Sequence, residues 1–137
     1  MAGNKCTINL LSKQRMGGEQ EQNQESYSGT FMDREGRRFL SYRRITEDGQ
    51  IDCLISFDRK SLTMTQKGAL NSKLELIPGA KTQNTYGTPM GDLSIQIYTR
   101  HYQVIETQMS IKILLDYDIV TGAEPIETSM DIEIKLG

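Results

Sequence analysis

Residues 109–120 read MSIKILLDYDIV, and residues 126–136 read IETSMDIEIKL. In the first stretch Met109, Ile111, Ile113, Leu115, Tyr117 and Ile119 share one side of a two-residue repeat. Ser110, Lys112, Asp116 and Asp118 share the other, with Leu114 as an exception inside the run. In the second, Ile126, Thr128, Met130, Ile132, Ile134 and Leu136 alternate with Glu127, Ser129, Asp131, Glu133 and Lys135. Successive side chains of a strand point to opposite faces, whereas a helix would scatter these residues around its circumference. The two stretches are therefore amphipathic strands, and Thr121-Gly122-Ala123-Glu124-Pro125 between them reads as a turn.

The same alternation recurs upstream. Ile51, Cys53, Ile55 and Phe57 oppose Asp52, Leu54, Ser56 and Asp58, and Leu93, Ile95, Ile97 and Thr99 oppose Ser94, Gln96, Tyr98 and Arg100. Less cleanly, Phe39, Ser41, Arg43 and Ile45 oppose Arg38, Leu40, Tyr42 and Arg44. Glu35-Gly36, Asp48-Gly49, Asn71-Ser72 and Pro78-Gly79 suit tight turns, since Gly and Asn accept positive φ at little cost. These signals place strands at 4–16, 26–34, 37–46, 50–59, 61–67, 73–78, 81–86, 92–102, 107–120 and 125–136. The polar, aperiodic run Gly17 to Glu25 reads as a flexible loop. A flat sheet of so many strands leaves long unpaired edges, and closure removes them. The expected fold is one all-β domain over residues 1–137, an antiparallel up-and-down β-barrel of about eight to ten strands.

Composition narrows the function classes. The 137 residues are 36% hydrophobic and 25% charged with net charge −2, which suits one globular domain and lacks the positive excess of a nucleic-acid binder. Met1 to Met16 hold no long apolar run and no small-residue cleavage site, so neither a targeting segment nor a membrane partner is expected. Cys6 and Cys53, both in apolar strand settings, read as free thiols of a reducing cytoplasm. Two cysteines and the single His101 do not make a metal site, and no cofactor is expected.

No catalytic constellation emerges. His101 lacks a nucleophile partner and an orienting group. Asp116 with Asp118, and Asp131 with Glu133, fall on the polar side of amphipathic strands. Arg37 to Arg44 mixes arginine with aromatics, but alternation splits its cations between two faces. Arg43 shares a face with Phe39 and Ile45. If that face is the interior, Arg43 is an inward cation needing an acidic partner or an anionic ligand. The alternative is a side chain reaching an open barrel end. Tyr86-Gly87-Thr88-Pro89-Met90-Gly91-Asp92 lacks the lysine and the following helix of a phosphate loop, and reads as a shaped turn.

Phe39-Leu40-Ser41-Tyr42-Arg43-Arg44 leading into Glu47-Asp48-Gly49, then Lys67-Gly68-Ala69, then Tyr86-Gly87-Thr88-Pro89-Met90-Gly91, resemble the YwiB-like family of bacterial proteins. The strand ending in Thr99 and the final pair fit as well, and the likeness covers about residues 4–136. The resemblance implies a calycin-like, lipocalin-type barrel of unknown function in a bacterial cytoplasm, with no catalytic residues. Two departures stand out: Gln66-Lys67 occupies a place where an arginine is expected, and the chain has no tryptophan.

The resulting expectation is a non-enzymatic barrel that binds a small, partly apolar or anionic molecule, with Arg43, Thr99, Tyr117 and Ser41 as cavity residues. Its rival is a filled barrel acting as an interaction or structural protein, for instance a homodimer. Leu40, Tyr42, Leu54, Tyr98 and Leu114 would then supply the outward apolar surface.

Overall fold

In the computed structural model, which describes residues 3–88, 91–120 and 124–137, the alternating apolar positions close around a common axis. The strands are β1 (Asn4–Met16), β2 (Glu19–Arg34), β3 (Arg37–Thr46), β4 (Gly49–Phe57), β5 (Leu62–Gly68), β6 (Ser72–Leu76), β7 (Lys81–Thr88), β8 (Gly91–Glu106), β9 (Ser110–Val120) and β10 (Ile126–Leu136). Each pairs antiparallel with its sequence neighbour, and β1 pairs with β10, giving a closed up-and-down barrel. The turns expected around Pro89-Met90 and Thr121 to Ala123 fall on residues outside those described.

Hairpin geometry decides which side chains point inward. Thr46 pairs with Gly49, so the inward set of β4 (Ile51, Cys53, Ile55, Phe57) stands opposite Arg44, Tyr42, Leu40 and Arg38. The interior set of β3 is therefore the even-numbered one. Leu40 and Tyr42 are buried, which corrects their placement on the outer surface. In β8 the register slips between Thr99 and His101, leaving Arg100 as an extra residue. Before this bulge Ile95, Ile97 and Thr99 face inward; after it Tyr102 and Val104 do. The strand thus continues well past 102, its alternation interrupted rather than ended.

The run from Gly17 to Glu25 is not a loop. Only Gly17 and Gly18 turn, with Gly17 at φ 62, and β2 pairs with β1 from Met16↔Glu19 through Asn4↔Phe31. Backbone pairing does not require apolar side chains, and these polar residues extend the hairpin beyond the packed core.

The core fills one half of the barrel. Ile8, Leu40, Ile55, Phe57, Leu62, Leu76, Ile97, Ile113, Leu115, Ile132 and Ile134 are all essentially solvent-free. Burying each such side chain is worth about 1.5–3 kcal/mol. At that end polar groups close the opening. Arg38 pairs with Glu106 across the barrel, Arg37 meets Asp58 at 3.1 Å, and the Tyr102 hydroxyl donates to the carbonyls of Asp58 and Ser61.

Candidate functional site

The other half, toward the Gly17-Gly18 turn, is open. A cavity of about 540 Å³ lies there, a size typical of small-molecule sites. Leu10, Met64, Met130 and Tyr42 give it an apolar floor; Gln14, Glu21, Asn23, Glu25, Arg44 and Gln66 give it a polar wall and rim. The polarity follows from the register. Cross-strand partners run Gly29–Tyr42–Cys53–Gln66–Ser72–Tyr86 from β2 to β7. This belt separates the aliphatic core from the open half. Gly29 is required in it, because a Cβ would stand 2.5 Å from the Ser41 carbonyl oxygen and 2.7 Å from Ile8 Cδ1.

Arg44 is the cation of this cavity. β2 and β3 stop pairing beyond Gly29↔Tyr42, and side chains span the gap that opens. The rings of Tyr27 and Tyr42 stack at 4.9 Å, and the Tyr27 hydroxyl donates to Glu25 Oε2 at 2.6 Å. Arg44 Nη2 lies 4.0 Å from Glu25 Oε1, its one ion pair among the described residues. That distance is too long for a hydrogen bond. The arginines at the closed end differ. Arg37 donates to Ser56 Oγ at 2.7 Å and to the Ser56 carbonyl at 3.0 Å, besides pairing with Asp58. Burial works against the Arg44 charge, but the neighbouring Glu25 and Tyr27 outweigh it and hold the guanidinium protonated.

The belt also carries Cys53. Burial pushes its thiol up, against the opposing pull of Arg44 and the Gln66 amide. Gln66 donates to Cys53 Sγ at 3.9 Å and accepts from Ser72 Oγ at 3.0 Å, which fixes the amide orientation. Both cysteines are free and buried.

The residues expected to form the site divide. Arg43 points to solvent, with a side chain 61% exposed and 3.2 Å from Asp52, and Ser41 is exposed beside it. Both are corrected to the outer face, because the hairpin to β4 turns the even positions inward. Thr99 and Tyr117 are buried inside, as expected, and stand in one row with Thr128. They pack near the cavity without lining it, and the hydroxyls of Thr99 and Thr128 find no partner among the described residues. Arg44, Glu25, Tyr27, Tyr42 and Gln66 were not among the expected cavity residues. A two-residue turn at Glu47-Asp48, combined with the clear alternation of β4, points to Arg44. His101 is exposed on β8, away from the cavity.

Comparisons with known proteins place this architecture. The crystal structure of the ywiB protein from Bacillus subtilis superposes with a TM-score of 0.88, covering 98% of this chain and 92% of that one at 20% identity, which shows a shared fold. No curated protein matches the chain. No described helix is long and apolar enough to cross a membrane. The model of a domain of unknown function, DUF1934, matches residues 8–134, from within β1 to within β10, and the chain belongs to that family.

Proposed function

We propose that the protein binds a small, partly apolar, anionic molecule in the open half of its barrel, without turning it over, and that Arg44 seats the anionic group. The observation carrying this reading is a guanidinium that faces a cavity and has, among the described residues, one distant ion pair, while the arginines at the closed end are saturated. Arginine presents five donors in a planar fork suited to carboxylate or phosphate. Leu10, Met64 and Met130 would cover the apolar part of the ligand. The two buried thiols fit a reducing, cytoplasmic setting.

The test has two parts. Native mass spectrometry of protein purified from its host reports a co-purifying ligand. Calorimetric titration with a panel of aliphatic and aromatic carboxylates then compares Arg44→Ala with Arg43→Ala. A charge-assisted hydrogen bond is worth about 1.5–3 kcal/mol, so Arg44→Ala should weaken binding at least about tenfold. Arg43→Ala should leave it within about twofold, because an exposed ion pair contributes little. Equal effects, or no anion bound in either experiment, overturn the reading.

A second reading rests on the outer face of β2–β4. Met32 and Phe39 are half-buried there beside an exposed Leu54, around a hollow of about 230 Å³. A homodimer formed through this face would appear in light scattering as a twofold mass that Leu54→Asp abolishes.

A further inference from the structure

The geometry of β2 points to a second binding surface, along the mouth of the cavity: we propose that its outer half accepts an extended peptide as an added strand, one carrying basic side chains two residues apart. β2 pairs with β1 along its whole length, but with β3 only from Gly29 onward. β3 runs on to Thr46, turned away from β2, with the Tyr27–Tyr42 stack at the point of divergence. From Glu19 to Ser28, the backbone N–H and C=O groups directed away from β1 have no backbone partner among the described residues. A free edge of this length is a template for another strand.

Charge selects the occupant. Between Gly17 and Met32 the only ionisable carboxylates or cations are Glu19, Glu21 and Glu25. All are odd-numbered, so they share one face of the strand, the face on which Glu21 and Glu25 line the cavity. Glu25 is engaged by Tyr27 and Arg44; Glu19 and Glu21 have no ion pair among the described residues. A strand laid along this edge therefore meets two uncompensated negative charges two residues apart on the same side. Lysine or arginine at i and i+2 answers both, and opposite charges directly across a strand pair are stabilising. A second copy of the same edge fits less well. Symmetric pairing centred on Asn23 sets Glu21 against Glu25, and pairing centred on Gln22 sets Glu19 against Glu25.

The probes are two synthetic nine-residue peptides, one alternating Lys and Thr, the other alternating Glu and Thr, titrated into the whole protein by calorimetry. The Lys peptide should bind at least about tenfold tighter, and its affinity should fall with added salt. Amide shifts should concentrate in residues 19–28. Gln22→Pro and Asn23→Pro form an internal control, since neighbouring strand residues direct their N–H groups to opposite sides. One of them breaks the β1 ladder and lowers Tm. The other removes a free-edge donor and leaves the ladder intact, should keep Tm, and should weaken the Lys peptide about tenfold, whereas alanine at the same position, which removes the cavity-lining side chain but keeps the donor, should not. Equal binding of both peptides overturns the proposal, as do unchanged binding in the Tm-neutral proline variant and shifts mapping elsewhere. A dimer that the same proline dissociates would show a second copy as the occupant and overturn it too.

Discussion

Arg43 and Arg44 are adjacent in the chain and opposite in circumstance, one a solvated member of an exposed pair and the other half-buried beside a cavity. Alternation within β3 alone did not separate them, because both of its faces mix aromatic, aliphatic and basic residues. The neighbouring strand does, since β4 has one clean apolar face and the turn between them is two residues long. The buried tyrosines make a residue-level prediction about pH. Burial pushes the Tyr117 hydroxyl up to about 12 from an ordinary value of 10.0, and raises Tyr42 and Tyr102 as well. The folded state thus holds these protons after the unfolded chain has released them. Their contribution to stability is complete below pH 10 and is lost as pH rises toward 12. Tyrosinate absorbance and circular dichroism should change together over that range. A tyrosinate signal that saturates near pH 10 while the fold persists would contradict the burial.

Among the elements, the outer half of β2 and the second half of β8 were hidden from the sequence for different reasons. β2 lacks an apolar face because it extends past the core, and its one strong cue is the Gly17-Gly18 turn, which mirrors the β1 pattern onto residues 19–31. β8 carries a cue that changes phase. The extra residue at Arg100 shifts the inward set from odd to even, so a single alternation cannot describe both halves. The other strands announced themselves through apolar faces that touch the packed core, except β7, whose sequence KTQNTYGT is polar and follows the turn at Pro78-Gly79. The bulge can be tested by comparing deletion with substitution. Arg100→Ala removes an exposed pair with Asp118 and should cost less than about 1 kcal/mol. Deleting Arg100 makes Thr99↔Tyr117 and His101↔Asp116 consecutive pairs of a regular ladder, so Tyr102 and Val104 stay inward and Gln103 stays outward. It should keep cooperative thermal unfolding, and a deletion that unfolds the protein would refute the assignment of Arg100 as the extra residue.

For the molecule as a whole, the barrel is a half-filled ring. The filled half supplies stability through aliphatic layers, and the open half holds the polar groups that a binding role needs. Its overall architecture was legible because β4, β9, β10 and the first half of β8 repeat the same two-residue code between turn signals; the site was not, because it depends on which strands diverge. The ring closes through β1 and β10, so Ile8 meets Ile134 from opposite ends of the sequence. Contacts between distant residues form late and slow folding. Ile134→Val, costing about 1 kcal/mol, should mainly speed unfolding. The same change at Ile55, inside the local β3–β4 hairpin, should mainly slow folding. Stopped-flow chevrons for the two variants check this, and identical partitioning would argue against late closure. During synthesis on the ribosome, β10 is made after the other nine strands. A growing chain therefore keeps two raw sheet edges until that strand has emerged, and the interval before it does is when a nascent barrel can join its neighbour on the polysome instead of itself.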